Sequence, residues 1–348
     1  MTVTVAERAQ RDVDADTGAP GVRNRIMETA ELMDRRGYGV AVADFARLLY
    51  GGTLPPAAVA AALEGMSEFG VSEGLVIRRD RRGEERAMRS RQFTHFVHGP
   101  EAERLAQDFA ARLVSSCPLV RSVSLTGSMA SGGFHPGDDV DVNLVAAPGA
   151  KYTVYLWALA LAAVTSLRNL GKETDEMSAL PFLPKIICVN VVWEEGQLRP
   201  LARQDKWIAY ELLMHRPVLG AAAWRKVLSE NRWMEEHFPQ VFETGFVGED
   251  SEGARRLAAA RRRGRAFFNF LERHRRALSA VENCSRFAVI AIHRLVSLSR
   301  TRKPEARDRE AFVNLVKRPY SVYDIPGREP AVPAEALRPR APDPAMPR

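Results

Sequence analysis

A mixed α+β fold, with a small sheet set between two largely helical stretches, is what this sequence predicts, and three observations carry it. Between Val120 and Val145, two runs alternate apolar with polar residues on either side of a glycine-rich loop, the signature of two strands. Lys185 to Trp193 is a continuous β-branched run and supplies another strand, read as a central one. Before and after this block, apolar residues recur at helical spacing. The 348 residues, 46% of them hydrophobic, give room for two or three domains. The expected boundaries are a tail over 1–20, an N-terminal module over 21–98, an α/β core over 99–205, a helical domain over 206–322 and a proline-rich tail over 323–348, with both tails read as disordered.

From Arg23, Ile26, Ala30 and Met33 form one apolar stripe; Gly37 and Gly39 break it, and Phe45, Leu48 and Leu49 make a second short face. Thr53-Leu54-Pro55-Pro56 reads as a helix start, with Val59, Leu63, Met66 and Phe69 on its stripe. Leu75-Val76-Ile77, a charged turn over Arg79–Gly83 and an extended stretch to Phe93 read as a hairpin. Helix, helix, helix, hairpin is the winged-helix order, so the module is expected to be winged-helix-like. Such modules read DNA through the third helix, yet between Pro56 and Phe69 the charged residues are Glu64 and Glu68. The arginines lie in the hairpin and beyond it, from Arg78 to Arg91, where they suit phosphate contacts. Nucleic acid is thus a possible partner, and a structural or substrate-docking role is the favoured one.

Pro100 to Leu113 is expected as a helix burying Ala102, Leu105, Phe109 and Leu113. Past Val145, Pro148-Gly149 turns the chain into a helix over Tyr152–Leu167 that is apolar nearly all round and is expected to be buried against the sheet. Gly171 to Pro184 connects it to the β-branched strand. Beyond, Trp207 to Leu213 is helical, Pro217 to Gly220 a break, and Trp224 to Phe238 a further helix. Arg255 to Arg276 holds nine arginines against Glu272 alone, around Phe267, Phe268, Phe270 and Leu271. An amphipathic helix with core aromatics and solvated arginines is favoured there over a phosphate-binding face. Ala288 to Leu298 is another buried helix. Residues from about Pro100 to Leu298 are expected to form a core of their own, separable from the N-terminal module.

The chemistry is concentrated in Thr126-Gly127-Ser128, the loop to Asp138, and Asp139-Val140-Asp141-Val142. A strand that runs into Gly127-Ser128 ends in a tight turn at a helix N-terminus, where backbone N–H groups can meet a phosphate. In the next strand Val140, Val142 and Leu144 alternate with Asp139, Asp141 and Asn143, so both aspartates share a face about 7 Å apart and can lean onto the same magnesium ions. At these residues the chain resembles the DNA polymerase β-like nucleotidyltransferase superfamily. Farther on, Ala209-Tyr210-Glu211-Leu212, Pro217-Val218-Leu219-Gly220 and Asn231-Arg232-Trp233 look like one bacterial subgroup of nucleotidyltransferase-domain proteins, a likeness that covers roughly Arg23 to Ser299.

The resemblance implies a small mixed-sheet nucleotidyltransferase core flanked by the winged-helix-like and helical domains. It implies that Gly127 and Ser128 hold the phosphates of a nucleoside triphosphate, ATP among them, and that Asp139 and Asp141 bind Mg²⁺ or Mn²⁺. The reaction implied is transfer of a nucleoside monophosphate to an acceptor hydroxyl, with a small molecule as the first choice of acceptor. Members of the superfamily usually present a third carboxylate from a neighbouring strand; here the polar interior residue of that strand is Asn190, an amide that carries no charge and is no base. Asn190 is therefore expected to face Asp139 and Asp141 in a catalytic site with a weakened metal. Lys185 is a candidate for neutralising the triphosphate, weighed against a solvated lysine at a strand edge. His135 reads as a turn residue, and Asp138 as pointing away from the aspartate pair. Two alternatives stay open: a nucleotide-binding or DNA-associated regulator that keeps the fold without turnover, and a protein-modifying nucleotidyltransferase of toxin-antitoxin type.

Cys117, Cys188 and Cys284 are odd in number, far apart and without Cys-x-x-Cys spacing, which argues against a disulfide framework and a zinc site and fits a reducing cytoplasm. The longest apolar run, Val154 to Val164, is too short to span a bilayer, so no membrane partner is expected. A net charge of +7 favours a polyanionic partner, nucleotide or nucleic acid.

Overall fold

The structure is a computed structural model that describes residues 21–34, 39–81, 83–172, 183–195, 204–243 and 266–300. The tails expected over 1–20 and 323–348 lie outside these residues, as does most of the arginine-rich stretch before Ala266. The fold is mixed α+β, with a three-stranded and a four-stranded sheet.

In the N-terminal part, α1 (Val22–Asp34), β1 (Val40–Ala41), α2 (Val42–Arg47) and α3 (Pro56–Glu64) precede the hairpin β2 (Phe69–Ser72) and β3 (Leu75–Arg78). The strands pair antiparallel in the order β1-β3-β2. Helix α3 stops at Glu64, so Phe69 begins a strand instead of extending the helical stripe. The hairpin turn is Glu73-Gly74, whose φ values of 48° and 80° are the left-handed pair that a two-residue hairpin demands. The charged segment expected as the turn does another job. Arg79 folds back and donates from Nε to the carbonyls of Met66 (2.7 Å) and Phe69 (3.0 Å), which lie beyond the end of α3.

The stretch expected to be extended as far as Phe93 is helical from Glu85. Helix α4 (Glu85–Ser116) runs through Pro100, so the expected boundary at 98/99 falls inside one helix. A proline there removes one backbone hydrogen bond. Burial of Met88, Ala102, Ala106, Phe109, Ala110, Leu113 and Val114 along the same helix offsets that loss.

The larger sheet is built from β4 (Val120–Leu125), β5 (Val140–Ala146), β6 (Ile187–Glu194) and β7 (Arg216–Leu219) in the order β6-β5-β4-β7. A five-residue helix, α5 (Gly127–Ser131), lies between β4 and β5, and α6 (Lys151–Leu167) is the crossover joining the parallel pair β5 and β6. Among the described residues β6 is an edge strand, not a central one. Its β-branched run has another cause: Val191 and Trp193 enter one hydrophobic core while Ile187, Val189 and Val192 enter the other. Helix α6 buries Val154, Tyr155, Ala158 and Ala162 but leaves a stripe through Trp157, Val164 and Leu167 exposed. The expected break at Pro217 is strand β7; among the described residues it pairs only with β4, and a proline is tolerated where a strand's outer edge has no ladder to supply.

The helical part continues with α7 (Lys206–Leu213) and α8 (Ala221–Ser229), followed by two 3-10 turns, Arg232–Glu236 and Pro239–Phe242, in place of the one helix expected to reach Phe238. Asn231 ends α8 by donating from Nδ2 to the Val227 carbonyl at 2.7 Å. In α9 (Ala266–Arg273), Phe268 and Leu271 are buried and Phe270 is exposed. Helix α10 (Arg275–Arg300) is anchored by Glu282, whose carboxylate accepts from the backbone N–H groups of Tyr152 (2.7 Å) and Thr153 (2.8 Å) and so caps α6 from outside.

One core lies on each side of the larger sheet. The first joins Ile26, Phe45, Leu49 and Leu63 to Trp193, Ile208, Tyr210, Trp224 and Phe238. The second joins Phe109 and Leu113 to Val140, Val142, Leu144, Val154, Tyr155, Leu271 and Val289. The first is shared by the N-terminal part and the segment from Trp193 to Val241, and backbone groups reinforce it: Gln240 donates from Nε2 to the Leu49 carbonyl (2.9 Å), and the Gly51 N–H donates to the His237 carbonyl (2.7 Å). Residues from Ala102 to Val289 make up the second core by themselves, as their apolar patterning leads one to expect, while the first core is completed by residues from before Pro100.

Candidate functional site

At the end of β4 the Thr126 N–H donates to the Asp141 carbonyl at 3.1 Å, which ties the turn to β5. Gly127 follows with φ 65°, and a Cβ placed on it would overlap Asp141 Oδ2. This position needs glycine twice over, for the left-handed backbone and for the close approach of the carboxylate. Ser131 Oγ donates to the Gly127 carbonyl at 2.8 Å and closes the short helix on itself. Ser128 sits half-buried on that helix. Five residues make too short a helix for a substantial dipole, so what this turn offers is chiefly its close approach to the Asp141 carboxylate.

Asp139, just before β5, and Asp141 within it are half-buried, and Asp141 lies on the face of β5 opposite Val140 and Val142. Across the parallel ladder Asp141 stands opposite Cys188. Asn190, two residues on, donates from Nδ2 to Asp141 Oδ1 at 2.7 Å, and the Cys188 thiol donates to Asn190 Oδ1 at 3.2 Å. The structure thus brings Asn190 to the aspartate pair. Lys185 is there too: its ammonium pairs with Asp139 Oδ2, so the residue is not a solvated strand-edge lysine. Burial works against the Lys185 ammonium, but the neighbouring Cys188, Asp139 and Asp141 more than offset it and raise its pKa above the ordinary lysine value.

The ligating atoms of Asp139, Asp141 and Cys188 lie within 4.8 Å of one another. The two carboxylates are hard oxygen donors that suit Mg²⁺ or Mn²⁺, whereas a thiol suits softer ions. Among the described residues no third carboxylate joins this group. Cys188 is the member that sequence reasoning passed over. Its signal was strand periodicity, since Cys188 and Asn190 are two apart and must share a face.

Asp138 lies outside the pair. Its Oδ2 accepts from the His135 N–H (3.1 Å) and from Arg91 (3.4 Å). His135 Nδ1 accepts from the Gly137 N–H at 3.1 Å, a turn role. Helix α4 grips the same loop: Arg91 Nε donates to the Gly133 carbonyl (2.7 Å), and His95 Nδ1 accepts from the Phe134 N–H (3.2 Å). Arg91 stands in the stretch read as extended to Phe93 and His95 in the gap before the helix expected from Pro100, which hid their common role. Below Asp141 on the same face, buried Asn143 contacts His215 through Nδ2; His215 donates from Nδ1 to the Glu211 carbonyl (2.5 Å) and stacks on Trp224 with ring centroids 4.6 Å apart. This polar and aromatic floor joins the site to the first core.

Protein-family models, curated proteins and solved structures give no match to this chain. No described helix is long and apolar enough to cross a membrane.

Proposed function

We propose that the chain is a nucleotidyltransferase that moves a nucleoside monophosphate from a nucleoside triphosphate to an acceptor hydroxyl, in first choice that of a small molecule. The observation that supports this reading is the contact of the Gly127 turn with Asp141, whose carboxylate lies close to that of Asp139. The backbone turn and the two carboxylates would together form the site for the triphosphate and its metal. Asp139 and Asp141 would hold Mg²⁺ or Mn²⁺, and ions bound there would neutralise charge on the attacking and leaving oxygens. Ser128 and the Gly127 backbone would orient the triphosphate, and Lys185 would carry positive charge to it. The acceptor oxygen forms its bond to the α-phosphorus as the bond to the β-phosphate oxygen breaks; pyrophosphate leaves and the hydroxyl proton passes to solvent. Asn190 cannot take that proton, since an amide is no base at neutral pH.

The Asn190 contact favours a second reading, in which the site binds a nucleotide without turnover, because the hydrogen bond ties Asp141 to a neutral partner. Incubation of the full chain with each labelled nucleoside triphosphate and Mg²⁺ separates the two. Release of pyrophosphate that disappears in Asp139→Asn and Asp141→Asn supports transfer. Saturable nucleotide binding with no release supports the second reading. Neither activity in the presence of Mg²⁺ or Mn²⁺ rejects both.

A further inference from the structure

Lys185 enters the site from the residues just before β6 and sets its ammonium on Asp139 Oδ2. The Lys185 side chain is 30% exposed and that of Asp139 16%, so the pair is partly withdrawn from water and each charge leans on the other. The other carboxylate has a neutral partner, the Asn190 amide, which is itself engaged by the Cys188 thiol. The two aspartates thus differ in their closest partner: Asp139 pairs directly with the Lys185 ammonium, and Asp141 accepts from the Asn190 amide.

We infer that Lys185 is a built-in counter-cation that competes with divalent metal for Asp139, so that metal binds weakly until an anion draws the lysine away. The inference rests on the nucleotidyltransferase reading of the site. An ammonium and a divalent ion cannot both sit on the same carboxylate oxygen without strong mutual repulsion. Admitting a metal alone would leave the ammonium half-buried beside carboxylates whose charge the metal already neutralises. A triphosphate supplies that anion, and the flexible lysine stem with its three donors can turn from carboxylate to phosphate. Metal and triphosphate then favour each other's binding by the same factor, as linkage requires. Lys185 is in this scheme a positioning residue that makes the site load both at once.

The test uses Mn²⁺ alone as the probe, with free ion measured by electron paramagnetic resonance on the full chain. Lys185→Gln should bind Mn²⁺ at least about tenfold more tightly than the wild type, and Lys185→Arg, which keeps the charge, should bind it no more tightly than the wild type. Equal or weaker binding by Lys185→Gln overturns the inference, as does the absence of Mn²⁺ binding from both proteins. Should Lys185→Gln fail to fold, the wild type carries the test. Mn²⁺ should speed acetylation of Lys185 severalfold relative to the other lysines, read by mass spectrometry, because it frees the amine from Asp139. Acetylation unchanged at the highest Mn²⁺ tolerated overturns it. Neither readout involves a nucleotide or turnover, so failure of the transferase reading registers separately in the pyrophosphate assay.

Discussion

The two faces of β5 use one strand in opposite ways. Val140, Val142, Leu144 and Ala146 all enter the second core, where each is one apolar contact among many. Asp141 and Asn143, on the alternate positions, each meet a particular partner: Asn190 for the first, His215 for the second. The apolar face holds the strand in place by area, which tolerates substitution by degrees. The polar face depends on single contacts, and loss of one changes what the site can do more than whether the chain folds. The polar face also rests on the core that the N-terminal helices complete, through Trp193 and Trp224.

The strongest test of that dependence is to remove the N-terminal module. A chain beginning at Glu85 would uncover Trp193, Trp207, Ile208 and Trp224, which the first core buries. It should aggregate, or lose the cooperative melt and the blue tryptophan emission of the full chain. A monomeric fragment that melts cooperatively would show that the sheet needs only its second core.

A matched pair on β5 sharpens the contrast between the faces. Leu144 is fully buried, and Leu144→Ala should cost about 2–5 kcal/mol while leaving Mn²⁺ affinity unchanged once the folded fraction is allowed for. Asp141→Asn should shift stability by less than that and abolish Mn²⁺ binding. Comparable losses of stability in the two variants, measured by urea unfolding, would erase the distinction drawn between the faces.

Gly127→Ala tests the turn between them. The left-handed backbone costs about 1–3 kcal/mol for a residue with a Cβ, and the methyl group must also displace the Asp141 carboxylate. The melting temperature should fall and Mn²⁺ binding should weaken together. A variant with lowered stability and normal Mn²⁺ affinity would mean that the carboxylate does not need its observed position.

What could be read from the sequence follows the same division. The alternation of β4 and β5, the stripe of α1 and the apolar run of α6 are local patterns, and the structure has those elements close to where the patterns lie. The errors arose where a local signal was overruled by distant packing. Pro100 looked like a helix start, yet the buried stripe on both sides of it makes one helix. Pro217 looked like a break, yet the open side of β4 takes it as an edge strand. The charged run at Arg79 looked like a turn, while Glu73-Gly74 carried the left-handed geometry. At the site, the aspartates and the glycine were legible because they lie in one short stretch. Cys188 joins them only through the register of β6 on β5, which no local pattern specifies. Arg91 and His95 reach the motif loop from α4, some forty residues earlier in the chain.

The smallest effect expected is a pH dependence carried by His95, and it separates the faces by a different probe. His95 Nδ1 accepts from the Phe134 N–H, so the bond exists only while that nitrogen is unprotonated. Burial, with Arg216 adding to it and Glu103 opposing, lowers the His95 pKa below the ordinary histidine value. A lowered pKa means that the folded chain binds fewer protons than the unfolded chain around that value; stability is full above it and declines as the pH falls through it. Burial lowers the pKa of His237 as well, so the wild-type slope is a sum over both histidines. His95→Gln keeps a possible acceptor and does not titrate, and its melting temperature should vary less than that of the wild type between about pH 7 and pH 5. Hydrogen exchange gives the local readout. After correction for the intrinsic rate, acidification should reduce protection at the Phe134 N–H in the wild type and leave the Leu144 N–H protected. An unchanged pH slope in His95→Gln, or equal losses of protection at both amides, would show that the motif loop is not held by this histidine and that acid acts on the fold as a whole.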